Sequence, residues 1–143
     1  MAVVVSGGTR GIGLQIAGGL ATPGATVALG YRQDTAVTKA ACVRLATTGA
    51  RPVAVAIDAG TEAAAAKLLA AVPDGEPVDQ LVHCAVEVVP DPLLHLVRAA
   101  LPRLLHGSLV LFLTSRGGRV VIPGYVAVSV GKARARAWCA TWP

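Results

Sequence analysis

The sequence predicts an α/β fold, an open doubly wound parallel sheet of about five strands ordered 3-2-1-4-5, in a single domain spanning residues 1–143. Two observations predict it. Short β-branched or apolar runs alternate with longer, Ala-rich stretches of helical period, and the runs are nearly continuously apolar. Strands covered by helices on both faces have that composition, because neither face meets water. The first run, Ala2–Val5, leads into a helical stretch at Gly11–Leu20. Thr26–Leu29 is the second strand and Asp34–Thr47 the helix after it. Pro52–Ile57 is followed by Glu62–Ala71, and Gln80–Cys84 by Leu93–Leu105. Leu109–Leu113 is the fifth strand, and a last helix runs from about Val126 to Thr141. Each strand–helix–strand unit implies a right-handed crossover.

Composition excludes several classes of protein. At 54% hydrophobic and 15% charged, the 143 residues can bury a core and are not a disordered chain. The apolar runs are far shorter than the ~20 residues of a membrane-crossing helix, and no basic, signal-like segment follows Met1. Three widely spaced cysteines, Cys42, Cys84 and Cys139, fit reduced thiols in a cytoplasmic protein better than a disulfide set or a metal site. Charge is segregated. All eight acidic residues lie at or before Asp91, which leaves residues 1–91 at −2 and residues 92–143 at +7. The basic half is either a solvated surface, a site for a phosphorylated cofactor, or a face for an acidic partner. With five aromatic residues and no basic run interleaved with them, nucleic acid is not an expected partner.

The junction between the first strand and first helix reads Ser6-Gly7-Gly8-Thr9-Arg10-Gly11-Ile12-Gly13. Gly7 suits a tight turn, Gly11 lets the backbone approach a pyrophosphate, and Gly13 lets the helix pack close to the strand. The free N–H groups of the helix start then face phosphate oxygens. This strand–turn–helix placement predicts a Rossmann-like dinucleotide site that includes Thr9, Arg10 and Ile12. After the second strand, where a carboxylate would hold the ribose 2′-hydroxyl of NAD, stands Arg32. Arg32 and Arg10 together suit a 2′-phosphate, so the expected cofactor is NADP(H), with Asp34 as the nearby carboxylate that argues the other way.

These features resemble the short-chain dehydrogenase/reductase family. Its glycine motif is matched by Ser6, Gly7, Gly11 and Gly13, and its acidic adenine contact after the third strand by Asp58, which also suits a solvated turn. Its Asn-Asn-Ala-Gly segment is represented by His83-Cys84-Ala85-Val86, in which only Ala85 is retained, and His83 is expected to be a buried strand-end residue. The family's Tyr-x-x-x-Lys would place its tyrosine at Val128. Tyr125, seven residues before Lys132 and preceded by Ile122-Pro123-Gly124, instead resembles the Tyr-x6-Lys pattern of the divergent, serine-bearing enoyl-acyl-carrier-protein reductases, with Ser115 as the serine.

Seven residues is nearly two helical turns, so Tyr125 and Lys132 are expected on one helix face. A nearby ammonium brings a phenol towards working range, and a tyrosine hydroxyl can donate to a developing enolate oxygen. The resemblance thus implies catalytic Tyr125, Lys132 and Ser115, with Lys132 also on the cofactor ribose. The substrate it implies is an acyl thioester on an acidic acyl carrier protein. A ketone reductase and a non-catalytic NADP(H)-binding module are the alternatives. It also implies a shortened chain, lacking a helix-borne Asn and the strands and lid beyond Pro143. Trp138 and Trp142, on the last helix, are expected at an interface of a homo-oligomer, a dimer or tetramer, more than in the core. No metal is expected.

Overall fold

The computed structural model describes residues 1–33, 35–86 and 91–141. Five strands, β1 (Ala2–Ser6), β2 (Thr26–Tyr31), β3 (Arg51–Ala56), β4 (Val78–His83) and β5 (Leu104–Phe112), form one parallel sheet in the order β3-β2-β1-β4-β5. Five α-helices follow them in turn: α1 (Gly11–Leu20), α2 (Thr35–Ala46), α3 (Glu62–Leu69), α4 (Pro92–Ala100) and α5 (Val126–Ala140). The fold is the predicted Rossmann-like α/β sheet.

β1 is central and wholly buried, and its alternating side chains feed two cores. Val3 and Val5 pack with Ala17, Val27, Leu29 and Leu45 on the side of α1 and α2. Ala2 and Val4 pack with Leu68, Leu81, Leu93 and Leu96 on the side of α3 and α4. Each fully buried aliphatic side chain stabilises the fold by roughly 1.5–3 kcal/mol, which is why β1 is apolar from Ala2 to Val5.

The fourth helix and fifth strand differ from expectation. The helix expected to reach Leu105 stops at Ala100, and a single 3-10 turn covers Leu101–Arg103. Pro102 accounts for the stop, since it can neither donate a helical hydrogen bond nor avoid the preceding carbonyl. The strand then begins at Leu104, well before Leu109, because the pairing with β4 jumps from Val78–Leu104 to Gln80–Leu109. The surplus residues turn at Gly107, whose φ is +92°, and Ser108 holds them by accepting from Leu105 N–H at 2.9 Å and donating to Val78 O at 2.8 Å. The covered strand of the sequence reading is thus a half-open edge, with Leu105, Leu109, Val110 and Leu111 exposed.

Arg103, at the end of the 3-10 turn, donates to the carbonyls of Leu69, Val72, Pro73 and Glu76 at 2.5–3.2 Å. Its guanidinium satisfies the carbonyls left open where α3 ends and so joins α3 to the β4–β5 edge.

Candidate functional site

Register in a parallel sheet decides which residues meet. Ser6 pairs with Gly30 and with His83, and His83 pairs with Phe112. The carboxyl ends of β2, β1, β4 and β5 therefore lie in a row, and the segments leaving them meet at one edge. A cleft with an empty volume of about 1350 Å³ opens there, lined by Gly7, Thr9, Arg10, Gly11, Ile12, Gly13, Tyr31, Arg32, Cys84 and Ala85, among others.

The floor of the cleft is built by the glycine turn. Gly7 N–H and Gly8 N–H both donate to Gly30 O, at 3.0 and 3.1 Å, which binds the turn to the end of β2. A Cβ on Gly13 would lie 2.1 Å from Gly7 O, so only glycine allows α1 to start this close to β1. Gly11 differs, with a φ of +53° and no atom within 4 Å of where a Cβ would project. It lines the cleft and presents open backbone, as a close-approaching pyrophosphate requires. The residues present fit a dinucleotide: Gly11, Ile12 and Gly13 would hold its pyrophosphate, and Arg10 and Arg32, both exposed, line the same cleft. Asp58 is exposed between Ile57 and Ala59, which line the cleft where Asp58 itself does not. Asp34 lies outside the described residues.

A second pocket, partly open and enclosing about 500 Å³ of empty space with open solvent included, lies between β4, β5, α4 and α5 and shares Ala85 and Val86 with the cleft. Its walls include Leu93, Phe112, Val128, Trp138, His83 and Lys132. Lys132 Nζ donates to Leu113 O at 2.8 Å and stands 5.5 Å above the centre of the Phe112 ring. Burial pulls the Lys132 ammonium below its usual pKa, with Cys84 nearby opposing the shift. The Cys84 thiol is pushed up by burial, and Lys132 opposes that in turn.

Tyr125 is placed differently from Lys132. It is the residue before α5, and its ring lies so close over Gly117 that a Cβ there would meet it at 2.7 Å. It lines neither the cleft nor the cavity, whereas Val128, one turn before Lys132, faces the cavity with it. Ser115 precedes the 3-10 turn Arg116–Gly118, and its Oγ is buried without a hydrogen-bond partner among the described residues. Thr114 Oγ1 and Ser129 Oγ are buried and unpartnered beside the same turn. The sequence marks neither Ser129 nor His83 as a site residue by the motifs above. Ser129 stands one helical turn before Lys132, a signal the sequence did carry. Trp138 is half-buried and packs within the chain against the α3–α4 core, and Trp142 lies outside the described residues.

Among the described residues no group of His, Cys, Asp or Glu could hold a metal ion, and no helix is long and apolar enough to cross a membrane. A parallel sheet in this order, with a glycine turn at its switch point and a lysine helix after the fifth strand, defines a Rossmann-like α/β domain. The chain belongs to the short-chain dehydrogenase/reductase family, whose short chain dehydrogenase pattern matches residues 1–94.

Its fold is that of solved members. It superposes on a short-chain dehydrogenase/reductase from Serratia marcescens with a TM-score of 0.84 at 22% identity, over 96% of this chain and 64% of that one. A short chain dehydrogenase from Burkholderia cenocepacia in complex with NADP gives 0.83 at 25% identity, with the same coverage. An NADH-dependent reductase, A1-R', responsible for alginate metabolism gives 0.84 at 22%, covering 99% and 69%. The chain thus spans under two thirds of the length of the Serratia and Burkholderia proteins. No curated protein matches it.

Proposed function

We propose that the protein is an NADP(H)-dependent reductase of a carbonyl-conjugated substrate. The observation that carries the cofactor reading is that Arg10 and Arg32 both line the cleft while, among the described residues, no carboxylate does. Two guanidiniums favour a 2′-phosphate, and the solved Burkholderia relative in complex with NADP supports the same choice. When bound, the reduced nicotinamide supplies a hydride. In this reading the chain's own part is to hold the pyrophosphate on the amides that open α1, and Lys132, whose ammonium now donates to Leu113 O, turns to the ribose hydroxyls when the cofactor binds.

For the substrate, the Tyr125–Lys132 spacing supports an enoyl thioester, and the +7 charge of residues 92–143 suits an acidic acyl carrier protein as its bearer. In that reading Tyr125 donates to the enolate oxygen, with Ser115 as a supporting donor. The position of Tyr125 over Gly117 favours the second reading, reduction of a ketone with a different donor. Self-association through α5, which buries no residue of its own, and the exposed leucines of β5 belongs to the same proposal.

The test follows NADPH oxidation with crotonyl and acetoacetyl thioesters, alongside calorimetric titration with NADPH. Turnover of the crotonyl thioester supports the enoyl reading, and turnover of the acetoacetyl thioester alone supports the second. NADPH binding without turnover of either leaves a cofactor-binding module and overturns the reductase reading.

A further inference from the structure

His83 is 3% exposed at the end of β4, where the sheet needs no polar side chain. Its ring is fixed on two sides. It stacks on Phe112 with centroids 5.9 Å apart and planes 13° from parallel, and its Nδ1 lies 3.1 Å from Ser6 Oγ. Hydrogen-bond accounting orients that contact. Ser6 is 1% exposed, and its hydroxyl makes no other hydrogen bond among the described residues. If Nδ1 carried the ring proton, the buried Ser6 hydrogen would have no acceptor. With Ser6 O–H donating to Nδ1, both groups are satisfied and the ring proton sits on Nε2.

Nε2 is on the far side of the ring from Ser6 and has no hydrogen-bond partner among the described residues. The ring lines the apolar cavity between α4 and α5. Of the other polar side chains in that wall, Asp91 Oδ2 accepts from Arg134 at 2.7 Å, Lys132 Nζ donates to Leu113 O at 2.8 Å, and Trp138, like Lys132, can only donate. A mainly apolar pocket with the His83 Nε2–H in its wall is complementary to an apolar molecule bearing an acceptor oxygen.

We propose that this cavity binds a small apolar carbonyl compound, and that His83 Nε2–H donates the hydrogen bond to its oxygen. The choice of a carbonyl oxygen rests on the reductase reading. The chamber adjoins the cofactor cleft through Ala85 and Val86, so a carbonyl held there lies beside the cleft's inner end. His83 then provides the donor that Tyr125, over Gly117, does not present to either space. The imidazole acts as a neutral donor, which needs no proton from solvent to hold its ligand.

The probe is trans-4-phenyl-3-buten-2-one, with butylbenzene as a hydrocarbon of similar size, titrated calorimetrically into the full chain without cofactor. The ketone is expected to bind, and His83→Phe, which keeps a ring against Phe112, to weaken it at least tenfold while changing butylbenzene less than threefold. Equal weakening of both ligands, or no ketone binding to the unaltered protein, overturns the proposal. Should His83→Phe fail to fold, nitrogen-15 spectra of the unaltered protein decide. The Nε2–H tautomer with a resonance that moves on adding ketone and stays on adding butylbenzene supports the proposal, and an Nδ1–H tautomer or an unmoved resonance overturns it. A parallel NADPH titration separates the two readings. Ketone binding through His83 without NADPH binding removes the reductase and leaves the cavity.

Discussion

Lys132 Nζ lies 2.8 Å from the carbonyl oxygen of Leu113, so the middle of α5 is tied to the first residue after β5. α5 buries no residue of its own, and this bond and the Arg134–Asp91 pair are polar ties between α5 and the rest of the fold. Lys132→Met keeps the aliphatic stem over Phe112 and removes the donor. It should destabilise the fold by about 1 kcal/mol and speed amide exchange in α5 more than in the central strands. Its proposed hold on the ribose adds a loss of NADPH affinity, read by calorimetry.

Tyr125→Phe separates the two donor assignments. Because the Tyr125 ring packs on Gly117 and lines neither space, the substitution should change turnover less than threefold and leave NADPH affinity unaltered. A loss of ~10²–10³ in rate, the size expected for a missing oxyanion donor, would return that role to Tyr125.

Arg32→Asp puts a negative charge at the adenosine end of the cleft. NADPH should bind more weakly by about 1–3 kcal/mol, with NADH affected much less, since a charge-assisted hydrogen bond to the 2′-phosphate is lost and repulsion takes its place. Calorimetric titration with both nucleotides checks this, and equal losses would move the 2′-phosphate away from Arg32.

The two glycines of the turn should fail differently. Gly13→Ala drives a methyl to 2.1 Å from Gly7 O and must displace α1, so thermal stability should fall sharply, by about 1–3 kcal/mol or more. Gly11→Ala meets no atom and carries only the strain of φ +53°, about 1 kcal/mol, yet its methyl enters the space left for the pyrophosphate. It should fold, melt slightly lower and lose NADPH binding by a larger factor than its stability loss.

His83 makes stability depend on pH. Burial, with the Lys132 charge adding to it, lowers its pKa from 6.5 to about 4. The folded state then binds fewer protons than the unfolded chain between those values. The contribution is therefore complete above about pH 6.5 and is lost as pH falls towards 4. Its ceiling is about 3 kcal/mol. Urea unfolding at pH 7 and pH 4.5 should show that loss in the unaltered protein and a smaller one in His83→Gln.

The sequence by itself determined what depends on near neighbours in the chain. Continuous apolar runs specify strands buried on both faces, and Ser6–Gly13 specifies the cofactor turn because every residue it needs is within eight positions. The spacing of Arg10 and Arg32 from strand ends was legible for the same reason. What needed the tertiary structure depends on residues far apart or on element ends. Helical phase aligns Tyr125 with Lys132, but Tyr125 precedes the helix, and the side-chain-free Gly117 draws its ring away. A helix read from Leu93 to Leu105 runs across Pro102, and only the pairing with Val78 and Gln80 shows where β5 starts. Ser6 and His83 are 77 residues apart, and nothing local marks them as partners. Parallel register across β1 and β4 brings them together, turning a histidine that reads as a strand end into an oriented donor at a cavity wall.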